Sequence, residues 1–301
     1  MFLVVSGCGG GGDDTPTDND NDNPDGNPPV VVQSPDPGPV GEIIPESEQR
    51  VIPTDEIKAF VTDSPYAAVL PGCALASTED PCTLGTLPYL GQQYLTPTVD
   101  QVMQRVVVTH DWMGVRLREM LQRMPPDLLP MFAPVTAIII GSEVRPSAFS
   151  VSRGWIRLDP RLLWLSVDEK RTVATNDDPR TNYGSDLQFV SRTRFAIGDD
   201  YAWGWWSLTD DSERTLADIE IPLAALLYHE LAHANDYVQP DKLADLGDEL
   251  TPRSTFELLD EFRVSRLLYQ QEELTAQRSF LYGLAGVRYF DDAPSDTDRK
   301  S

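Results

Sequence analysis

The sequence predicts a helix-rich α+β domain with few strands, and two observations carry that prediction. Three long stretches set apolar residues at helical spacing: residues 99–124, a stretch from 221 to the proline at 240, and one from 254 towards 284. Strand character is confined to short segments, namely the β-branched run 135–140, the alternating run 154–158 and a third candidate at 187–197. With 41% hydrophobic and 24% charged residues, most of the chain has the composition of a packed globular protein.

The elements follow in chain order. Residues 1–8 run from the apolar Met1–Val5 into Ser6-Gly7-Cys8. This segment resembles the end of a bacterial lipoprotein signal, whose cysteine becomes the lipidated first residue of the mature protein. The basic n-region is missing and the apolar stretch is shorter than the usual length of about 7 to 15 residues, as a start codon assigned too late would give. The resemblance implies a lipid anchor through Cys8 and a place in the bacterial cell envelope, periplasmic or at the surface, on the outer membrane. Residues 9–50 form an acidic tether of Gly, Asp, Asn and Pro, too poor in bulky apolar side chains to offset the entropy of ordering. Residues 51–290 make the folded domain and 291–301 a polar tail.

With Cys8 set aside, Cys73 and Cys82 remain, nine positions apart in a loop-like stretch rich in Pro and Gly. Their pairing predicts a disulfide and an oxidising compartment. In residues 99–124, Val99, Val102, Val106, Met113, Leu117, Met120, Leu121 and Met124 predict one amphipathic helix that Pro125-Pro126 stops. From residue 221, Pro222 suits a first helical turn, and Leu223, Leu226, Leu227, Leu231 and Ala234 form a stripe until Pro240 forbids continuation. Ser254, with Glu257 at the capping-box position, predicts the start of a second long helix through Leu258, Leu259, Phe262, Leu267 and Leu268.

Charge and hydropathy exclude two function classes. Against 24 Lys and Arg stand 48 Asp and Glu, and a net charge of -24 repels a phosphate backbone, so nucleic acid is not a partner. No run approaches the roughly 18 apolar residues of a membrane-spanning helix.

The chemistry concentrates in His229-Glu230-Leu231-Ala232-His233. Two imidazoles four apart in a helix share a face and a tetrahedral Zn²⁺ can bridge them. Glu230 points in a neighbouring direction, where it reaches water without ligating the metal. His-Glu-x-x-His identifies the chain as resembling the zincin metallopeptidases over roughly residues 225–236. That resemblance implies a catalytic domain with a small twisted sheet and two helices flanking a cleft, a peptide or protein substrate, and zinc held by His229, His233 and a third ligand. Metzincins place Gly and then His or Asp where this chain has Asp236 and Gln239, and the Gly-Thr-x-Asp segment of aspzincins is absent. Gluzincins take a Glu from a following helix, which offers Glu257 and Glu261. Glu261 is favoured because its helical neighbours Leu258, Val264 and Leu268 predict a buried setting. His-Glu-Leu-Ala-His-Ala-Asn-Asp-Tyr also resembles the anthrax lethal-factor-like metallopeptidases.

The other polar and aromatic candidates have bland roles open to them as well. Asp236 is either an acceptor fixing an imidazole or a solvated helix-end charge. Tyr228, Tyr237, Tyr269 and Tyr282 are oxyanion donors or core aromatics. Trp203, Trp205 and Trp206 line a substrate loop or pack inside. The run 154–158 is the candidate edge for an extended peptide. A di-iron site needs a second Glu-x-x-His, and His110 has Val107 three residues before it. The expected function is therefore zinc-dependent peptide hydrolysis with Glu230 as the base. The rival is a non-enzymatic envelope or adhesin-like lipoprotein with a structural metal site.

Overall fold

The computed structural model describes residues 48–175, 196–197, 200–204 and 206–269. The lipoprotein-like segment, the tether up to residue 47, most of the third strand candidate and everything beyond residue 269 lie outside the described residues.

In chain order come β1 (Lys58–Ala59), α1 (Leu70–Leu75), α2 (Leu90–Gln93), α3 (Val99–Met103), β2 (Val106–Val108) and α4 (Asp111–Arg123). The periodicity of residues 99–124 predicts one helix, and the chain forms three elements there instead. Val106, Val107, Val108 and Thr109 are four consecutive β-branched residues, stiff at χ1, and all three valines are fully buried. Helical spacing misreads them because Val102 and Val106 happen to be four apart. The capping box in which the Thr98 N–H donates to Gln101 Oε1 at 2.8 Å opens α3 but does not mark the break, and α4 begins after His110 without a side-chain cap.

Next follow β3 (Ala137–Ile140), β4 (Ala148–Ser150), β5 (Trp155–Leu158) and α5 (Val167–Lys170), then the two-stranded pair β6 (Ala196–Ile197) and β7 (Asp200–Tyr201). The described chain ends with α6 (Leu216–Tyr237), α7 (Pro252–Leu259) and α8 (Val264–Tyr269). The fold is thus helix-rich mixed α and β, with a small mixed sheet of five strands in the order β1-β2-β3-β5-β4. β2, β3 and β5 run parallel, with Val107, Ile139 and Arg157 in one row. β1 and β4 are antiparallel edges.

The alternation of the pleat sorts the two faces. Val106, Val108, Ile138, Ile140, Ile156 and Leu158 join Met113, Leu117, Met120, Leu223, Leu227 and Leu231 of α4 and α6 in the largest core cluster. Val107, Ala137, Ile139 and Trp155 face the other way, onto Leu70, Cys73 and Ala74 of α1. Covered on both faces, β2 and β3 read in sequence as unbroken apolar runs, which is why 135–140 is legible, whereas β5 carries the half-buried Arg157 among its apolar residues. Cys73 and Cys82 form the expected disulfide, although Cys73 lies within α1 rather than in a loop.

α6 starts earlier than its sequence reading. Thr215 and Asp218 open it, with the Thr215 N–H donating to Asp218 Oδ2 at 2.7 Å, and Leu216 and Ile219 extend the apolar stripe backwards. Pro222 consequently sits inside the helix, where it can give no N–H to the Asp218 carbonyl. α7 likewise begins at Pro252, capped by Thr251, and Ser254 is the third helical residue that reaches back to the Thr251 N–H. The long second helix is interrupted: a 3₁₀ turn at Asp260–Phe262 and an extended Arg263 separate α7 from α8.

Candidate metal centre

α6 presents the site because its buried stripe locks the helix rotation. Ile219, Leu223, Leu227, Leu231 and Ala234 face the core, so His229 is left exposed and His233 half-buried on the flank. The two Nε2 atoms lie 3.1 Å apart and the rings stand edge to face, 86° between planes. Two nitrogens bound at about 2.0 to 2.1 Å to one tetrahedral Zn²⁺ would be separated by roughly 3.3 Å, so the pair is close to ligating separation. A ring N–H donating to its neighbour's lone pair gives the same distance. Burial, and then His229, hold the His233 imidazole below its ordinary range, so near neutral pH it carries the lone pair a metal requires. These two donors fit Zn²⁺. Among the described residues no group of three or more His, Cys, Asp and Glu gathers as a metal shell.

Glu230 has a different environment from its neighbours. Only 6% of it is exposed, and its Oε2 accepts the Phe149 N–H of β4 at 2.6 Å. Edge and motif are therefore in direct contact, but through β4 and not through the run 154–158. β5 is an interior strand between β3 and β4, so the candidate peptide-aligning edge moves to Ala148–Ser150.

Glu261 does not have the buried setting expected of it. It lies in the 3₁₀ turn, exposed, with Leu258, Phe262 and Val264 around it also exposed. The helical neighbourhood that predicted burial does not exist, because the helix breaks there and α7 buries Pro252, Thr255 and Leu259 instead. Glu257 is exposed too, paired with Arg253 at 3.1 Å.

Asp236 takes a role outside both readings. Its carboxylate accepts the Ser265 N–H at 2.9 Å and Arg263 Nε at 3.3 Å, capping the first turn of α8 from the end of α6. Arg263 in turn lies 4.2 Å over the Tyr237 ring. Tyr237 stacks with Phe149 at 6.1 Å and with His233 at 6.4 Å, and meets Phe256 edge-on at 5.3 Å. Sequence reasoning missed this aromatic floor beside the imidazoles. Tyr237 and His233 share a face at i, i+4, but Phe149 belongs to a three-residue strand with no periodicity of its own.

Tyr228 points elsewhere, donating its hydroxyl to Asp127 at 3.0 Å. Tyr282 and Trp205 lie outside the described residues, while Trp203 and Trp206 are half-buried. His110 precedes α4, away from the motif helix, with its Nδ1 3.1 Å from Thr109 Oγ1. No family model, curated protein or solved structure matches the chain.

Proposed function

We propose that this chain hydrolyses peptide bonds with zinc, as a zincin-like envelope protein anchored in the outer membrane through a lipidated Cys8. In this reading His229 and His233 hold the metal, Glu261 remains the third ligand the sequence favours although the structure does not bring it to the two imidazoles, and Glu230 is the general base. The observation that carries it is the pairing of two imidazole nitrogens 3.1 Å apart with a buried carboxylate one residue away, turned to a sheet edge. The bound metal supplies Lewis-acid activation of water and of the scissile carbonyl. Glu230 takes the proton from the attacking water and returns it to the leaving amine, and burial keeps that carboxylate from being screened by bulk water. β4 is the sheet edge beside the motif helix; with the outward Phe149 N–H taken by Glu230, what it offers an extended peptide is the outward Phe149 carbonyl. The Cys73–Cys82 disulfide suits an oxidising compartment.

One panel of variants tests the reading by zinc stoichiometry and peptide cleavage together. Glu230→Gln keeps an oxygen for the Phe149 N–H, so it should retain zinc and melting temperature while hydrolysis falls by about 10² to 10⁴. His233→Ala should lose zinc. Glu261→Ala should lose it too, whereas Glu257→Ala, whose carboxylate is occupied by Arg253, should keep it. Wild-type cleavage in Glu230→Gln would remove the base from the mechanism, and zinc retained by Glu261→Ala would remove the third ligand.

A further inference from the structure

Phe149 sits directly opposite Ile156 in the antiparallel β4–β5 pair. Its N–H does not enter that ladder but turns outward, to Glu230 Oε2 at 2.6 Å. A Glu side chain has three rotatable bonds, and a carboxylate left to itself samples many positions. Here one oxygen is held by a short charge-assisted bond to backbone, in a residue 6% exposed, while the imidazoles lie on the adjacent flank of the same helix. The donor is itself fixed, since β4 is paired along its length to β5 and β5 to β3.

We propose that the Phe149 backbone N–H is the positioning group of the site. It anchors one oxygen of Glu230, orients the other towards the metal side, and ties the base to the same strand on which an extended peptide would register. This rests on the peptidase reading and adds to it a coupling between sheet edge and base. A structural alternative makes a different prediction: if Glu230 merely satisfies an edge N–H, losing the bond costs stability and leaves turnover per folded molecule alone.

Proline at an outward-facing edge position deletes the N–H without removing a ladder bond. Phe149→Ala keeps the N–H and removes the ring that stacks on Tyr237. In the full-length, zinc-loaded protein, kcat of Phe149→Pro should lie about 10²-fold below that of Phe149→Ala, the scale of loss expected when a reacting group is misplaced by about 1 Å. KM and zinc stoichiometry should be the same in both. Equal kcat in the two variants overturns the inference. Should Phe149→Pro fail to fold, the amide resonance of Phe149 in labelled protein tests the bond on which the inference stands: replacing the carboxylate in Glu230→Gln should move it upfield, and an unmoved resonance overturns the inference. Absence of cleavage by the wild-type protein would instead sink the peptidase reading, while the amide shift still reports whether Glu230 is held.

Discussion

Glu230 and His229 are adjacent in sequence and opposite in environment, one buried against β4 and the other exposed. A helix turns about 100° per residue, so adjacent positions can face core and cleft, and the apolar stripe decides which faces which. The helix and its apolar stripe were legible in the sequence, but the burial of Glu230 was not. Nor was the partner of Glu230, because nothing local to Ala148–Ser150 marks a strand. The hairpin that brings it there depends on Gly154, whose φ of 66° suits glycine and whose missing Cβ would lie 2.9 Å from Thr136 Cγ2 and Tyr89 Cε1. Gly154→Ala should therefore cost at least the left-handed penalty of about 1 to 2 kcal/mol, with the overlap adding to it. Gly72→Ala, in α1 with no atom within 4 Å of the added Cβ, is the control and should be neutral or stabilising. Equal denaturation midpoints for the two variants would show that the hairpin relaxes at no cost.

At the scale of elements, boundaries followed caps more faithfully than periodicity did. α3, α5, α6 and α7 each open on a capping box, whereas the two readings that failed, at residues 99–124 and beyond 260, trusted spacing across breaks that no capping box marks: neither His110 before α4 nor Leu259 before the 3₁₀ turn makes a side-chain cap. The segment entering α6 is pinned by contacts that no local pattern announces. Lys170 of α5, fully buried, gives its ammonium to Asp210 Oδ1 at 2.9 Å and to the Ser212 carbonyl at 2.5 Å, beneath the Trp164 ring at 4.2 Å. Burial works to raise the Asp210 carboxyl, but hydrogen bonds from Ser212 and Lys170 outweigh it and hold the group below its ordinary range. The folded state then binds that proton less readily than the unfolded chain, so stability rises with pH across this titration. The contribution is complete above about pH 4 and is lost as the pH falls through the lower folded-state value. Asp210→Asn should cost about 1 to 3 kcal/mol near neutral pH, and its melting curve should converge on the wild type in acid. A difference independent of pH would show that the carboxylate charge is not what holds the segment.

For the whole molecule, the Cys73–Cys82 bridge closes a short loop from α1, on one face of the sheet, to the chain entering the cluster around Leu84 and Tyr89. Chain-entropy arguments for a loop this short give about 2 to 3 kcal/mol. Cys73→Ser should lower the denaturation midpoint accordingly, and reducing agent should shift the wild type but not the variant; no shift in either would mean that the unfolded chain is not constrained by the bridge. The sequence by itself determined that His229, Glu230 and His233 share one helix, the β3 and β5 runs and the cysteine pairing, because each depends on residues within a few turns or on simple elimination. The tertiary structure alone decided that β4 and not β5 is the edge, that the last helix breaks at Asp260–Phe262, and that Asp236 caps α8. It also decided that Glu230 meets a backbone N–H 81 residues away. The reason is physical: side-chain spacing records which face of an element is apolar, whereas strand order and long-range hydrogen bonds depend on which elements pair, and that is settled only when the layers pack.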